Sequence, residues 1–138
     1  VDLSRKNDLT GLVAMYRDDD EKYSLMPFAY LPSDNLKEKS EQDRTPWDVW
    51  SKEGFLKTTP GEHICYTFAA EDIRKIDEIA NIIRIAVDPY NSTYLKKVLI
   101  DSGFSEAWIE EKFFPFRQGF ISMSPGVDEL ESLFIHNK

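Results

Sequence analysis

Two acids are the residues of this chain best suited to do chemistry. Asp2 lies in "VDLSRKNDLTGLVAMYRD" and Asp88 in "IRIAVDPYN", where an apolar run ends in an acid and Pro89 follows at once. A carboxylate at the end of a core strand is costly to desolvate unless a cation or hydrogen-bond donors meet it. Two carboxylates held close together repel, and one keeps its proton unless cations neutralise the pair. Mg²⁺ and Mn²⁺ prefer carboxylate oxygen and would supply that charge. Two such ions about 3.5–4 Å apart can activate water and stabilise the leaving oxygen of a phosphodiester. Each acid taken singly has a plainer reading. An Asp after a strand commonly caps the helix that follows, and Asp2 is equally an exposed residue near a chain end.

The elements that must position these acids follow from pattern. Residues 1–4 read as a short strand, "RKND" (5–8) as a polar turn, and "LTGLVAMYR" (9–17) as a second strand. "DDDEK" (18–22) is a charged turn, and "YSLMPFAYL" (23–31) is a third strand in which Pro27 predicts an edge position or a bulge. Together they predict a three-stranded antiparallel meander. "PSDNLKEKSEQDR" (32–44) is a polar helix or loop. "TPWDVWSKEG" (45–54) carries helix punctuation: Thr45 as N-cap, Pro46 in the first turn, Gly54 at the stop, with Trp47 and Trp50 on one face. Residues 55–67 are irregular, with a short strand expected after the turn at Pro60-Gly61. A helix is predicted over 71–82, with Ile73, Ile76, Ile79 and Ala80 along one side. A fourth strand follows at 83–88, then a helix over 92–103 with Tyr94, Leu95, Val98 and Leu99 inward and Gly103 as its stop. A fifth strand falls within 112–118, and an amphipathic helix over 124–134 carries Val127, Leu130, Leu133 and Phe134. Three antiparallel strands followed by β/α units predict an α/β fold, a mixed sheet with helices on both faces.

Composition bounds the function. The 138 residues are a single-domain length, and 41% hydrophobic with 13% aromatic content is enough for a core. The net charge of −8, from 25 acids and 17 bases, argues against a general nucleic-acid coat, which runs on clustered Lys and Arg. It leaves room for an enzyme that grips DNA locally and holds metal ions with carboxylates. Cys65 is the only cysteine, so no internal disulfide can form, which fits a reducing cytosol. His63 and His136 lie far apart and make no zinc set. No apolar run approaches the roughly 20 residues of a membrane span. A start at Val1 and an end at "ESLFIHNK" read as a fragment of a longer protein.

The element order matches the ribonuclease-H-like fold, in which a first acid on strand one and a second at the end of strand four lie side by side. On "VDLSRKNDLTGLVAMY", "YLPSDNL", "VDPYN" and above all "FRQGFISMSPGVDELESL", the chain resembles the C-terminal nuclease domain of the large terminase subunit of tailed bacteriophages. The resemblance runs over essentially the whole chain and implies one nuclease domain over residues 1–138. It implies a component of a phage DNA-packaging motor in an infected or lysogenic bacterial cytoplasm. An N-terminal ATPase drives DNA into the procapsid, and the nuclease cuts concatemeric double-stranded DNA. Terminase small subunit and portal protein are the partners implied. Asp2 and Asp88 match the family's first two metal-binding acids, for Mg²⁺ or Mn²⁺ in a two-metal site. The third acid of the family lies on a later helix, beyond Lys138. Asp128 and Glu129 fall in the preceding helix and do not take that role, so a fragment ending here is expected to be inactive alone. No G-x-x-x-x-G-K-[ST] occurs, so no ATP hydrolysis is expected from it.

Other residues carry weaker signals. Asp8 is a candidate group behind the metal ligands, or a turn residue. Asn91 could reach a phosphate, or cap the next helix in competition with Ser92. Arg117, Gln118, Ser122 and Ser124 are candidate DNA contacts in the most family-like stretch, or shape a loop beside the site; Arg5 and Lys6 are candidate phosphate contacts beside Asp2. Trp47, Trp50 and Trp108 read as packing anchors. "DDDE" (18–21) reads as a solvated turn that lacks the glycine and distal Glu of a calcium loop. Two alternatives stay open: a non-catalytic interaction module of the packaging machinery, and another nuclease or recombinase on the same fold.

Overall fold

The computed structural model describes residues 1–4 and 8–136, with the backbone but not the side chain of Asn91. Apart from Asp8, the turn expected at 5–8 lies outside the described residues.

Strand β1 (Thr10–Arg17) pairs antiparallel with β2 (Tyr23–Pro32), in register from Thr10 opposite Tyr30 to Arg17 opposite Tyr23. The intervening turn is closed by Asp18, whose Oδ1 accepts from Lys22 N at 2.8 Å. Strand β3 (Lys57–Thr59) adds to β2 in parallel. Strands β4 (Ile85–Val87) and β5 (Phe113–Pro115) form a parallel pair. The N-terminal segment joins the two groups. Asp2 and Gly11 exchange two backbone hydrogen bonds, at 2.8 and 2.9 Å, and Val1 N donates to Ala86 O at 2.7 Å. The strand order is therefore β3-β2-β1-N-terminal segment-β4-β5.

The register explains Pro27. Gly11 spends its N–H and C=O on Asp2, so the even residues of β1 bond to β2. Val13 opposite Pro27 is then a non-hydrogen-bonded pair, and the proline nitrogen faces away from β1. β3 reaches only Tyr30–Pro32 on that side, so Pro27 lies on open edge, as expected.

Six helices complete the described chain: α1 (Leu36–Asp43), α2 (Trp47–Lys52), α3 (Tyr66–Ala80), α4 (Pro89–Asp101), α5 (Glu106–Lys112) and α6 (Phe120–Ile135). The core joins Leu3, Leu12, Tyr30, Ile85 and Val87 of the sheet to Tyr66, Ala69, Ala70 and Ile73 of α3, Leu95 and Leu99 of α4, and Ile109 of α5. Side chains of this size each contribute roughly 1.5–3 kcal/mol on full burial. Tyr30 and Leu31 are both at 0% exposure. Adjacent strand residues point to opposite faces, so both faces of the sheet are covered at this end.

Several elements differ from expectation. α3 begins at Tyr66, because Tyr66, Ala69, Ala70 and Ile73 make a stripe at helical spacing, whereas Ile79 projects outward at 80% exposure. β3 precedes the Pro60-Gly61 turn instead of following it. Thr45 does not cap α2; its hydroxyl donates to Asp43 O, and Pro46 holds the cap position. Tyr94 is half exposed, its ring tilted on Tyr66 at 5.2 Å. α5 was not expected; Ser105 caps it, accepting from Trp108 N at 3.1 Å. α6 starts at Phe120 and passes through Pro125, and no described residue of it is buried, so Val127, Leu130 and Phe134 present an open apolar face.

Candidate active site at the carboxyl end of β4

The strand expected at 1–4 is a single bridge, Asp2 to Gly11, in the segment beside β4, and Asp88 follows directly on the end of β4. The Val1–Ala86 hydrogen bond fixes their relation: Asp2 is one residue from one end of that bond and Asp88 two residues from the other. Strand alternation then sets direction. Leu3, Ile85 and Val87 all enter the same core, while Asp2 and Ala86 are exposed and Asp88 is half buried. Asp2, Ala86 and Asp88 therefore share the face turned away from that core. Desolvation is modest there, which answers how a core strand can end in an acid.

The N-terminal segment is held by specific bonds as well as by pairing. Ser4 N donates to Thr10 Oγ1 at 2.9 Å, and Tyr66 Oη donates to Ser4 O at 2.7 Å. Thr10 is fully buried, so its hydroxyl is committed to this anchoring, including a donation back to Ser4 O at 3.2 Å.

Asp88 has a structural task too. It is the N-cap of α4, its Oδ1 accepting from Tyr90 N at 2.8 Å, with Pro89 at the first helical position. The bond from Tyr90 engages Oδ1, and a carboxylate has two oxygens to offer. Capping and ion binding are therefore compatible at this residue. The cap expected of Asn91 or Ser92 belongs to Asp88; Ser92 lies inside the helix and its hydroxyl donates to Pro89 O at 3.0 Å. The side chain of Asn91, and Arg5 and Lys6 altogether, lie outside the described residues.

Arg117 and Gln118 leave the sheet at the same end as Asp88. β5 runs parallel to β4, and Phe116 N donates to Val87 O at 2.9 Å. Both side chains are exposed, in the link before α6. Ser122 and Ser124 lie within α6, not in a loop, and the Ser124 hydroxyl donates to Phe120 O at 2.6 Å. Asp8 is exposed, its N–H donating to Ser4 Oγ at 3.3 Å, and it lines a cleft of about 680 Å³ with Asp34, Glu38, Asp43, Trp47 and His63. In that cleft Asp43 is held below the usual carboxylate range by hydrogen bonds from Lys39 and then Trp47. His136 bonds within its own helix end, Nδ1 lying 2.7 Å from Ser132 O. Trp47 and Trp50 meet edge to face, with ring centroids 5.3 Å apart, and Trp108 packs on Phe104 and donates to Asp77; Trp108 anchors packing as expected, whereas Trp50 is exposed and meets Trp47 at the surface.

Among the described residues no group of three or more His, Cys, Asp or Glu side chains could hold a metal. Asp2 and Asp88 are two carboxylates on one face, and one or two protein carboxylates are what Mg²⁺ commonly takes, its shell completed by water and substrate phosphate. No described helix is long and apolar enough to cross a membrane.

Comparison with known proteins agrees with the strand order. The family model "Terminase large subunit, endonuclease domain" matches residues 1–138. The large terminase subunit of Enterobacteria phage HK97 is 38% identical over 138 residues, covering 100% of this chain and 26% of that protein. Protein YmfN of Escherichia coli K12 is 29% identical over 139 residues, covering 95% of this chain and 29% of that protein. The crystal structure of the HK97 large terminase superposes with a TM-score of 0.83 over 98% of this chain and 27% of that one. The chain thus spans about a quarter of the length of these relatives. With its meander, crossover and β/α units in this order, the chain has a ribonuclease-H-like fold and belongs to the family of terminase large-subunit endonuclease domains.

Proposed function

We propose that this domain cuts concatemeric double-stranded DNA during phage genome packaging, with Asp2 and Asp88 as its metal-holding acids. One observation supports the reading beyond family membership: Asp2 in the N-terminal segment and Asp88 at the end of β4 lie on one face, within two residues of the Val1–Ala86 hydrogen bond. Mg²⁺ or Mn²⁺ would be held by both carboxylates, and two bound ions supply a nucleophilic water and stabilisation of the leaving oxygen. The protein's own contribution is placement. Thr10 and Tyr66 fix the N-terminal segment, the start of α4 fixes the Asp88 carboxylate, and Arg117 offers a cation at the same end of the sheet for a DNA phosphate. The packaging partners in this reading are the terminase small subunit and the portal protein, and the place of action is the cytoplasm of the bacterial host.

The test is Asp88→Asn in the intact protein, assayed for Mn²⁺-dependent cleavage of double-stranded DNA. Asparagine caps a helix as well as aspartate does, so the fold survives and cleavage is lost. Undiminished cleavage removes Asp88 from the mechanism.

A further inference from the structure

Gly11 sits directly opposite Asp2, and nothing in the fold requires a glycine there. Its φ is not among the positive values that favour glycine, which fall elsewhere at Gly54, Gly61 and Gly103. A Cβ built on it meets no atom of the described residues within 4 Å. Glycine inside a strand weakens the strand and often marks a place where a ligand or another backbone approaches closely. The register says which place this is. Asp2 and Gly11 exchange both backbone hydrogen bonds, so a side chain at 11 would stand on the same face as the Asp2 carboxylate, its Cβ roughly 5 Å from that of Asp2.

The face stays open beyond Gly11. Val13 and Met15, next on the same side of β1, are 55% and 65% exposed, and Leu25 opposite Met15 is 59% exposed. Among the described residues, then, this face of β1 beside Asp2 is lined by solvent-exposed side chains and a glycine.

We propose that Gly11 is a positioning residue, the clearance through which the sugar–phosphate backbone of DNA reaches the acids. This rests on the nuclease reading above and adds a residue to it. Gly11 touches no reacting atom; it acts by the volume it leaves empty.

The experiment compares Gly11→Ala and Gly11→Leu with native protein, all as the intact chain, by three readouts: thermal midpoint, the rise in midpoint with Mn²⁺, and double-stranded DNA cleavage. Both variants are expected to fold at least as well as native, and to retain the Mn²⁺ response because the ligands are untouched. Gly11→Leu is expected to lose cleavage on the order of 10²-fold, as misplacement of about 1 Å can do, with Gly11→Ala between it and native. Native protein that cleaves beside a Gly11→Leu variant that cleaves equally well overturns the clearance role and leaves the nuclease reading standing. A Gly11→Leu variant that loses cleavage together with its Mn²⁺ response overturns it too, since the defect would then lie in the ion site. Native protein with no cleavage at all removes the nuclease reading, and the clearance role with it.

Discussion

Tyr30 Oη donates to Asp72 Oδ2 at 2.7 Å, tying the carboxyl end of β2 to α3 through two buried residues. Lys57 of β3 reaches the same carboxylate at 2.6 and 2.8 Å, and its ammonium also lies 4.9 Å over the Phe28 ring. One acid thus joins two strands and a helix. Asp72→Ala leaves the buried Tyr30 hydroxyl without its acceptor, which costs roughly 1–3 kcal/mol. Tyr30→Phe leaves the Lys57–Asp72 pair intact and is expected to cost about 1 kcal/mol. Urea denaturation of the two variants checks the ranking, and equal stabilities would contradict it.

The same contact sets an alkaline limit. Burial pushes the Tyr30 hydroxyl above its ordinary 10.0, and the hydrogen bond to Asp72 and the Asp72 charge push the same way. A raised folded pKa means that the native state keeps a proton which the unfolded chain releases. The resulting stability is complete below pH 10 and is lost as pH rises from there towards the folded value. Native protein is therefore expected to lose more stability than Tyr30→Phe between about pH 10 and pH 11.5. Parallel losses would place the alkaline limit elsewhere.

Much of this was legible in the sequence, and the reasons are specific. The hairpin of β1 and β2 was readable because strand formers flank a run of charges at 18–22, and α4 because Leu95 and Leu99 sit at helical spacing before Gly103. Asp88 stood out because it ends an apolar run, and Asp2 through the strand order and the family resemblance. What stayed hidden depends on tertiary neighbours. Ile79 follows the pattern of its helix, but α3 extends past the core it covers. α5 is a seven-residue helix whose only strong sign is Ser105 as cap. The partnership of Gly11 with Asp2 is a matter of register, and so is the meeting of Tyr30, Lys57 and Asp72, 42 residues apart at the widest. Short-range pattern does not carry such pairings.

Asp88 caps α4 and, in the proposed function, also holds an ion, and two substitutions separate these roles. Asp88→Asn keeps an effective cap and removes the charge, so stability holds while cleavage falls. Asp88→Ala removes the acceptor for Tyr90 N as well and is expected to cost a further 0.5–2 kcal/mol, roughly, of stability. Circular dichroism melts beside cleavage assays check this. Equal melting of the alanine and asparagine variants would mean that the cap contributes nothing.

Ion binding has a readout that does not depend on turnover. A ligand specific to the native state raises stability by about 2.7 kcal/mol when present at 100 times its dissociation constant. Mn²⁺ is therefore expected to raise the melting midpoint of native protein, with Asp2→Asn and Asp88→Asn each reducing the rise and the double variant abolishing it. A rise that survives in the double variant would place the ion elsewhere.

Two glycines should respond in opposite directions to the same substitution. Gly103 ends α4 with φ +97°, a conformation that costs an L-residue roughly 1–2 kcal/mol. A Cβ there would also stand 3.4 Å from Arg74 Nη2, whose guanidinium lies 5.0 Å over the Phe104 ring, so the arginine must shift slightly to admit it. Gly103→Ala is expected to destabilise by at least that conformational cost. Gly11 has neither constraint, and Gly11→Ala is expected to stabilise by about 0.4–1 kcal/mol through the lost freedom of the unfolded chain. Paired thermal melts decide the matter. Stabilisation at 11 together with lost cleavage in the bulkier Gly11→Leu would mean that this strand gives up stability to keep the approach to Asp2 open, whereas destabilisation by alanine at 11 would mean that the fold itself needs the glycine.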